Sequence, residues 1–94
     1  MMPLADTAKP RLADKARLKW DAVREKHLLL YPEGVLVLNP TAHDVLALCD
    51  GQRSVADMVK ILATQHASDA NTIDGDVKEI LHRLAEKSFV TFTG

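Results

Sequence analysis

The sequence predicts an α+β fold: a three-stranded antiparallel sheet followed by a three-helix cluster, winged-helix-like but with its strands placed first. Three observations carry this. Apolar and polar residues alternate from Ala16 to Trp20. Two apolar runs flank Pro32-Glu33-Gly34. Beyond Asn39 the apolar spacing changes from two residues to three or four, the helical period. Strands segregated before helices indicate a small sheet packed on a helical layer. At 94 residues the chain fits one domain with a modest core.

Residues 1–14 mix Pro, Ala, Asp and Lys without a period and read as a mobile or loosely docked arm. Residues 15–94 form the folded unit. Ala16, Leu18 and Trp20 alternate with Arg17 and Lys19, the signature of a half-buried strand. Asp21 to Lys26 is polar; a turn and a short helix both remain open. His27 to Tyr31 and Val35 to Leu38 read as a β-hairpin around Pro32-Glu33-Gly34. There Pro presets φ, and Gly34 is expected at positive φ in a G1 bulge.

Asn39-Pro40-Thr41 ends the sheet and opens the first helix, with Asn39 or Thr41 as its cap. Ala42, Val45, Leu46 and Cys49 share one face of it. Asp50-Gly51 closes it, with Gly51 suited to a left-handed conformation. Ser54 caps the second helix, with Asp57 at its third position. Val55, Met58, Val59 and Leu62 form the buried stripe of that helix. Thr64 to Asn71 is polar and small and reads as a loop. Thr72 or Asp74 begins the third helix, whose stripe is Val77, Ile80, Leu81 and Leu84. Phe89 to Phe92 reads as a last strand or a docked end.

Several function classes find little support in these residues. Twelve basic residues against thirteen acidic ones give a net charge of −1. A nucleic-acid reader needs an excess of cations to displace counterions from phosphates. The helix-turn-helix shape around Gly51-Gln52-Arg53 raises that alternative, but Lys78, Arg83 and Lys87 are offset by Asp76, Glu79 and Glu86. No apolar run approaches the roughly 20 residues that span a bilayer. A single cysteine excludes an internal disulfide. The simplest placement is cytoplasmic, away from membranes.

No catalytic or metal constellation emerges. Asp76, Glu79 and His82 share a helix face but read as a solvated surface, with no Cys pair or His-x3-His beside them. Cys49 falls on an apolar stripe, where cysteine acts as a small hydrophobe. The glycines are scattered and form no phosphate-binding loop. No cofactor is expected, and the chain reads as a non-enzyme.

Val35 to Leu38 is more informative, being apolar on both faces. A strand at a sheet edge is ordinarily blunted by charge or Pro, and this one has neither. Either the third helix covers it, or it is left open to accept a peptide as an added strand.

The ordered set Leu28-Leu29-Leu30-Tyr31-Pro32-Glu33-Gly34, Val35-Leu36-Val37-Leu38-Asn39, Thr41-Ala42, Leu46-Ala47-Leu48-Cys49-Asp50-Gly51 and Ser54-Val55 resembles the PqqD family. Asp76-Val77, Leu81, Leu84 and the upstream Pro10-Arg11-Leu12 extend the likeness. The resemblance implies a RiPP recognition element, a non-catalytic peptide chaperone of pyrroloquinoline quinone biosynthesis. It implies two partners: the precursor peptide PqqA, and PqqE, a radical SAM enzyme that cross-links the Glu and Tyr of that peptide. Any iron–sulfur cofactor belongs to PqqE. It places the leader beside Val35, Leu36, Val37 and Leu38, with Val77, Leu81, Leu84 and Ala85 as the helix wall. A homodimer stays open, as does service to another peptide pathway.

Overall fold

The computed structural model describes residues 4–93. Met1–Pro3 of the expected arm, and Gly94, lie outside the described residues. The elements run β1 (Lys9–Leu12), β2 (Arg17–Asp21), β3 (Lys26–Tyr31), β4 (Gly34–Leu38), α1 (Pro40–Ala47), α2 (Val55–Gln65), α3 (Ala70–Glu86) and β5 (Val90–Thr93). The α+β architecture is as expected: β2, β3 and β4 form an antiparallel sheet in that order, followed by three helices. The winged-helix likeness is loose, because the sheet precedes the helices and a second sheet joins the two chain ends.

That second sheet is the main departure from the sequence reading. Residues 9–12, expected in the arm, pair with β5 from Lys9↔Thr93 to Leu12↔Val90. Upstream of β1, the Ala8 and Asp6 carbonyls accept from the Val55 and Ala56 N–H groups at 2.9 and 3.1 Å. These are donors of the first turn of α2, which has no intrahelical partner for them. Lys78 on α3 reaches Asp6 at 2.9 Å and Asp74 at 3.2 Å. These hydrogen bonds, with Asp6 contributing most, hold its ammonium pKa above the ordinary lysine value. The ordering of the segment thus comes from long-range partners, which a local composition reading does not contain.

The β3–β4 hairpin forms in the expected place with a different turn. Tyr31 pairs with Gly34, leaving Pro32 and Glu33 as a two-residue connection. Gly34 does not take positive φ, so there is no G1 bulge. A Cβ there would make ordinary van der Waals contact with the Tyr31 hydroxyl, at 3.4 Å. Ala22 to Glu25 resolves as a turn, with Glu25 at φ 54°. Asp21 organises it by accepting from the Val23 and Arg24 N–H groups.

The caps follow the local chemistry. Asn39 accepts from the Ala42 N–H at 2.7 Å and starts α1. Gly51 takes φ 76° after that helix. Ser54 and Asp57 form a reciprocal capping box on α2. The loop predicted from Thr64 to Asn71 is shorter, because α2 runs on to Gln65 and Asp69 caps α3, which starts at Ala70. The core lies between the inner face of the sheet and the helices. Leu29, Val45, Leu46, Val55, Met58, Val77 and Leu81 are its most buried side chains.

Candidate functional site

The sheet leaves β4 as an edge strand, with β3 on one side and no described strand on the other. Hydrogen-bonded pairs alternate along an antiparallel ladder. Counting from the Tyr31–Gly34 turn pair, the backbone groups of Gly34, Leu36 and Leu38 point toward β3. Those of Val35 and Val37 point to the open edge. Their side chains are more than half exposed, at 56% and 52%. Leu36 and Leu38 point the other way: Leu36 is half-buried and Leu38 is buried. The strand therefore offers a free, uncharged backbone edge with an apolar row beneath it.

That row opens into a cleft of about 330 Å³ between β4, α1 and α3. Leu36, Leu38, Ala42, Ile80 and Leu84 supply its apolar lining, while Arg83, Glu86 and Lys87 stand at its rim. A concave apolar site with a few polar groups at the mouth suits the side chains of an extended peptide.

The strand half of the sequence expectation fits this geometry. Leu36, Val37 and Leu38 line the cleft, and Val35 lies on the same edge. The helix half needs correction. Val77 and Leu81 are buried in the core at 1% and 0% exposure. Ala85 lies outside the cleft lining, and only Leu84 of the four expected helix residues touches it. The wall of α3 is instead Ile80, Arg83, Leu84 and Lys87, spaced i, i+3, i+4 and i+7. The reason is rotational. One helix serves both core and cleft, and its apolar stripe is wide enough to supply both. Ile80, read as core, belongs to the cleft. The sequence reads Asn39 as a helix cap and Ala42 as part of the apolar face of α1, and the structure adds both to the cleft lining.

The other chemistry-bearing side chains have packing roles. The Cys49 thiol contacts the Val45 carbonyl at 3.3 Å. Burial, and then the neighbouring Asp50 carboxylate, push its pKa up to about 12, far from a reactive thiolate. His27 stacks on His43 with ring centroids 3.6 Å apart. His43 and His66 contact the two carboxylate oxygens of Asp44 at 3.2 and 3.0 Å. This group ties β3, α1 and the end of α2 together. Asp76, Glu79 and His82 do not form a cluster able to hold a metal ion, nor do any other described residues. No described helix is long and apolar enough to cross a membrane.

The sequence matches the family model described as "Coenzyme PQQ synthesis protein D (PqqD)" over residues 26–90. The chain belongs to the PqqD family. A PqqA binding protein from Rhodopseudomonas palustris (strain TIE-1) is 40% identical over 88 residues, covering 94% of this chain and 86% of that protein. In structure, the chain matches the PqqD truncation of Methylobacterium extorquens PqqCD, described as a functional and stand-alone RiPP recognition element. That match has a TM-score of 0.80 at 35% identity, covering 94% of each chain. The fold also matches TbiB1, solved in complex with the TbiA(β) leader peptide, with a TM-score of 0.72 at 17% identity. That match covers 85% of this chain and 93% of TbiB1, and at such identity it speaks for the fold alone. The PqqD match starts at Lys26 and so takes in all of β3, β4 and the three helices, the elements that build the cleft.

Proposed function

We propose that this chain is a peptide chaperone that binds the precursor peptide PqqA as a fourth strand on β4 and presents it to the radical SAM enzyme PqqE. The observation that carries the reading is the uncharged, unpaired edge of β4 lying directly over an apolar cleft. Strand addition supplies backbone hydrogen bonds from the Val35 and Val37 edge. It sends alternate peptide side chains down between Leu36, Leu38 and Ile80. The naming of relatives as PqqA binding proteins supports the choice of peptide.

The chain itself carries out no bond-making step in this reading. The one cysteine is buried and neutral, and the cleft lining holds no His, Ser or Cys to act as nucleophile or general base. The radical chemistry belongs to the enzyme. The recognition unit is residues 15–94, with β1 docked on its last strand, and it works in the cytoplasm.

The test is a titration of isotope-labelled protein with PqqA, read by NMR amide shifts. Saturable shifts in Val35 to Leu38 and from Ile80 to Lys87 are expected. Shifts centred elsewhere, or none at high peptide concentration, would sink the assignment. A shift in hydrodynamic size with protein concentration would add a homodimer to the reading.

A further inference from the structure

The outer face of the three-stranded sheet, turned away from the helices, has an order that the cleft does not use. Cross-strand register places Arg17 beside Leu30 and Leu30 beside Val35. In the next row, Lys19 lies beside Leu28 and Leu28 beside Val37. Each row thus runs from a cation on β2, through a leucine on β3, to an exposed valine on the open edge. Lys26 on β3 adds a third cation at the end of this face. Among the described residues, Arg17, Lys19 and Lys26 are exposed and none is ion-paired. Asp21, the one acid of this face, is already engaged with its own turn and Arg24.

We propose that this outer face is a second docking surface, for a protein partner with a carboxylate-rimmed apolar patch, and that a peptide bound on β4 extends it. The proposal rests on the strand-addition reading above. An added strand continues the period-two alternation. If one set of peptide side chains enters the cleft with Leu36 and Leu38, the other set lines up with Val35 and Val37 on the outer face. Peptide and protein then make one continuous surface, and a partner seated there touches both.

The charges select the occupant. The exposed Val35 and Val37 with the half-buried Leu30 form an apolar centre over the buried Leu28, and the basic strand lies two strand spacings, about 10 Å, from the open edge. A second copy docked through this same face would set the same cations, Arg17, Lys19 and Lys26, against them. A lipid surface would engage large aromatic side chains at the interface, whereas Trp20 is assigned by its register to the opposite face, its ring tilted against His27. An acidic protein surface satisfies both the charge and the apolar centre. The partner of the proposed function, PqqE, is the probe.

The experiment uses Arg17→Glu with Lys19→Glu, two residues outside the cleft. The expected result is PqqA affinity within about twofold of wild type and PqqE affinity reduced about tenfold or more, because reversed charges now repel the partner. Peptide-loaded wild type should also bind PqqE more tightly than the free protein. Unchanged PqqE affinity in the double variant overturns the proposal. So does a variant that loses only self-association, or only binding to phosphatidylserine–phosphatidylcholine vesicles. Equal PqqE affinity with and without peptide overturns the extension by peptide. If the double variant misfolds by its amide spectrum, Arg17→Gln with Lys19→Gln keeps the aliphatic stems and is expected to show a smaller loss in the same direction; full PqqE binding there overturns the proposal equally. Wild type that fails to bind PqqA sinks the underlying reading, whereas wild type that binds PqqA but not PqqE sinks only the docking surface.

Discussion

The two edges of one sheet differ in the feature that decides what an edge can do. β2 reads Arg-Leu-Lys-Trp-Asp and β4 reads Gly-Val-Leu-Val-Leu. Both strands have five residues, both pair with β3, and both leave one backbone edge unpaired by any described strand. On β2 every second residue is charged, and a strand approaching that edge would have to desolvate Arg17, Lys19 and Asp21. β4 imposes no such cost. Exposed edges invite pairing with other chains, and charge is a common way to refuse it. The chain refuses at one edge and leaves the other free. The free edge is also the one beside an apolar cleft, so backbone pairing and side-chain burial reward the same ligand. The contrast teaches that the open edge is selective in place as well as in chemistry.

α3 carries a related contrast between its two apolar rows, and it gives the largest expected effect. Leu81 faces the core and Ile80 the cleft. Leu81→Ala should lower unfolding free energy by about 2–5 kcal/mol, the cost of a core truncation with its cavity. Peptide affinity of the folded fraction should stay within about twofold, as this residue has no part in the cleft. Ile80→Ala should do the reverse, with a stability loss under about 1.5 kcal/mol and an affinity loss of several-fold. Urea denaturation and isothermal titration calorimetry with PqqA separate the two readouts. If Leu81→Ala weakens binding more than Ile80→Ala does, the wall of the cleft has been assigned to the wrong row.

The next effect breaks the comparison of edges directly. Val35→Lys with Val37→Lys gives β4 the charged outer row of β2. Both side chains are exposed, so stability should change by less than about 1 kcal/mol. An incoming strand would then meet two ammonium groups at the edge that should receive it. PqqA affinity should fall about thirtyfold, equivalent to about 2 kcal/mol. Calorimetry measures the loss, and thermal unfolding checks that the fold survives. A charged β4 that still binds PqqA at wild-type strength would move the peptide off this edge altogether.

Much of this was legible in the sequence, and the misses have physical causes. Ser54 with Asp57, Asn39 before Pro40, and Asp50-Gly51 are local signals, and each does locally what its chemistry allows. The strand wall of the cleft was equally local, since an uncharged run of valine and leucine after a tight turn is visible without a structure. β1 was not, because its partners lie at the other end of the chain: the Thr93 hydroxyl donates to the Lys9 carbonyl across 84 positions. No periodicity in residues 1–14 announces a pairing of that range. The helix wall fell between these cases. Val77, Ile80, Leu81 and Leu84 were recognised as one stripe, but a stripe gives no direction on its own. Successive helical residues point about 100° apart. Which part of the stripe meets the core and which meets the cleft is set by how α3 packs on α2, α1 and β5, information outside the segment.

The smallest effect expected falls at the junction between the two halves of the site. Asn39 ends β4, caps α1 through its bond to the Ala42 N–H, and also lines the cleft. Removing the cap with Asn39→Ala should cost about 1 kcal/mol of stability, visible as a lower denaturation midpoint. Asn39→Asp should retain that stability, because its carboxylate still accepts from the helix N-terminus and its charge suits the dipole there. In both variants the backbone edge of Val35 and Val37 is left intact. If that edge holds the peptide, affinity for PqqA should change by less than about threefold, under 1 kcal/mol. A loss as large as that of the lysine pair would instead place the decisive contact at the mouth of α1. The side-chain cleft would then dominate recognition, and the free edge of β4 would serve mainly to set the direction in which the peptide runs.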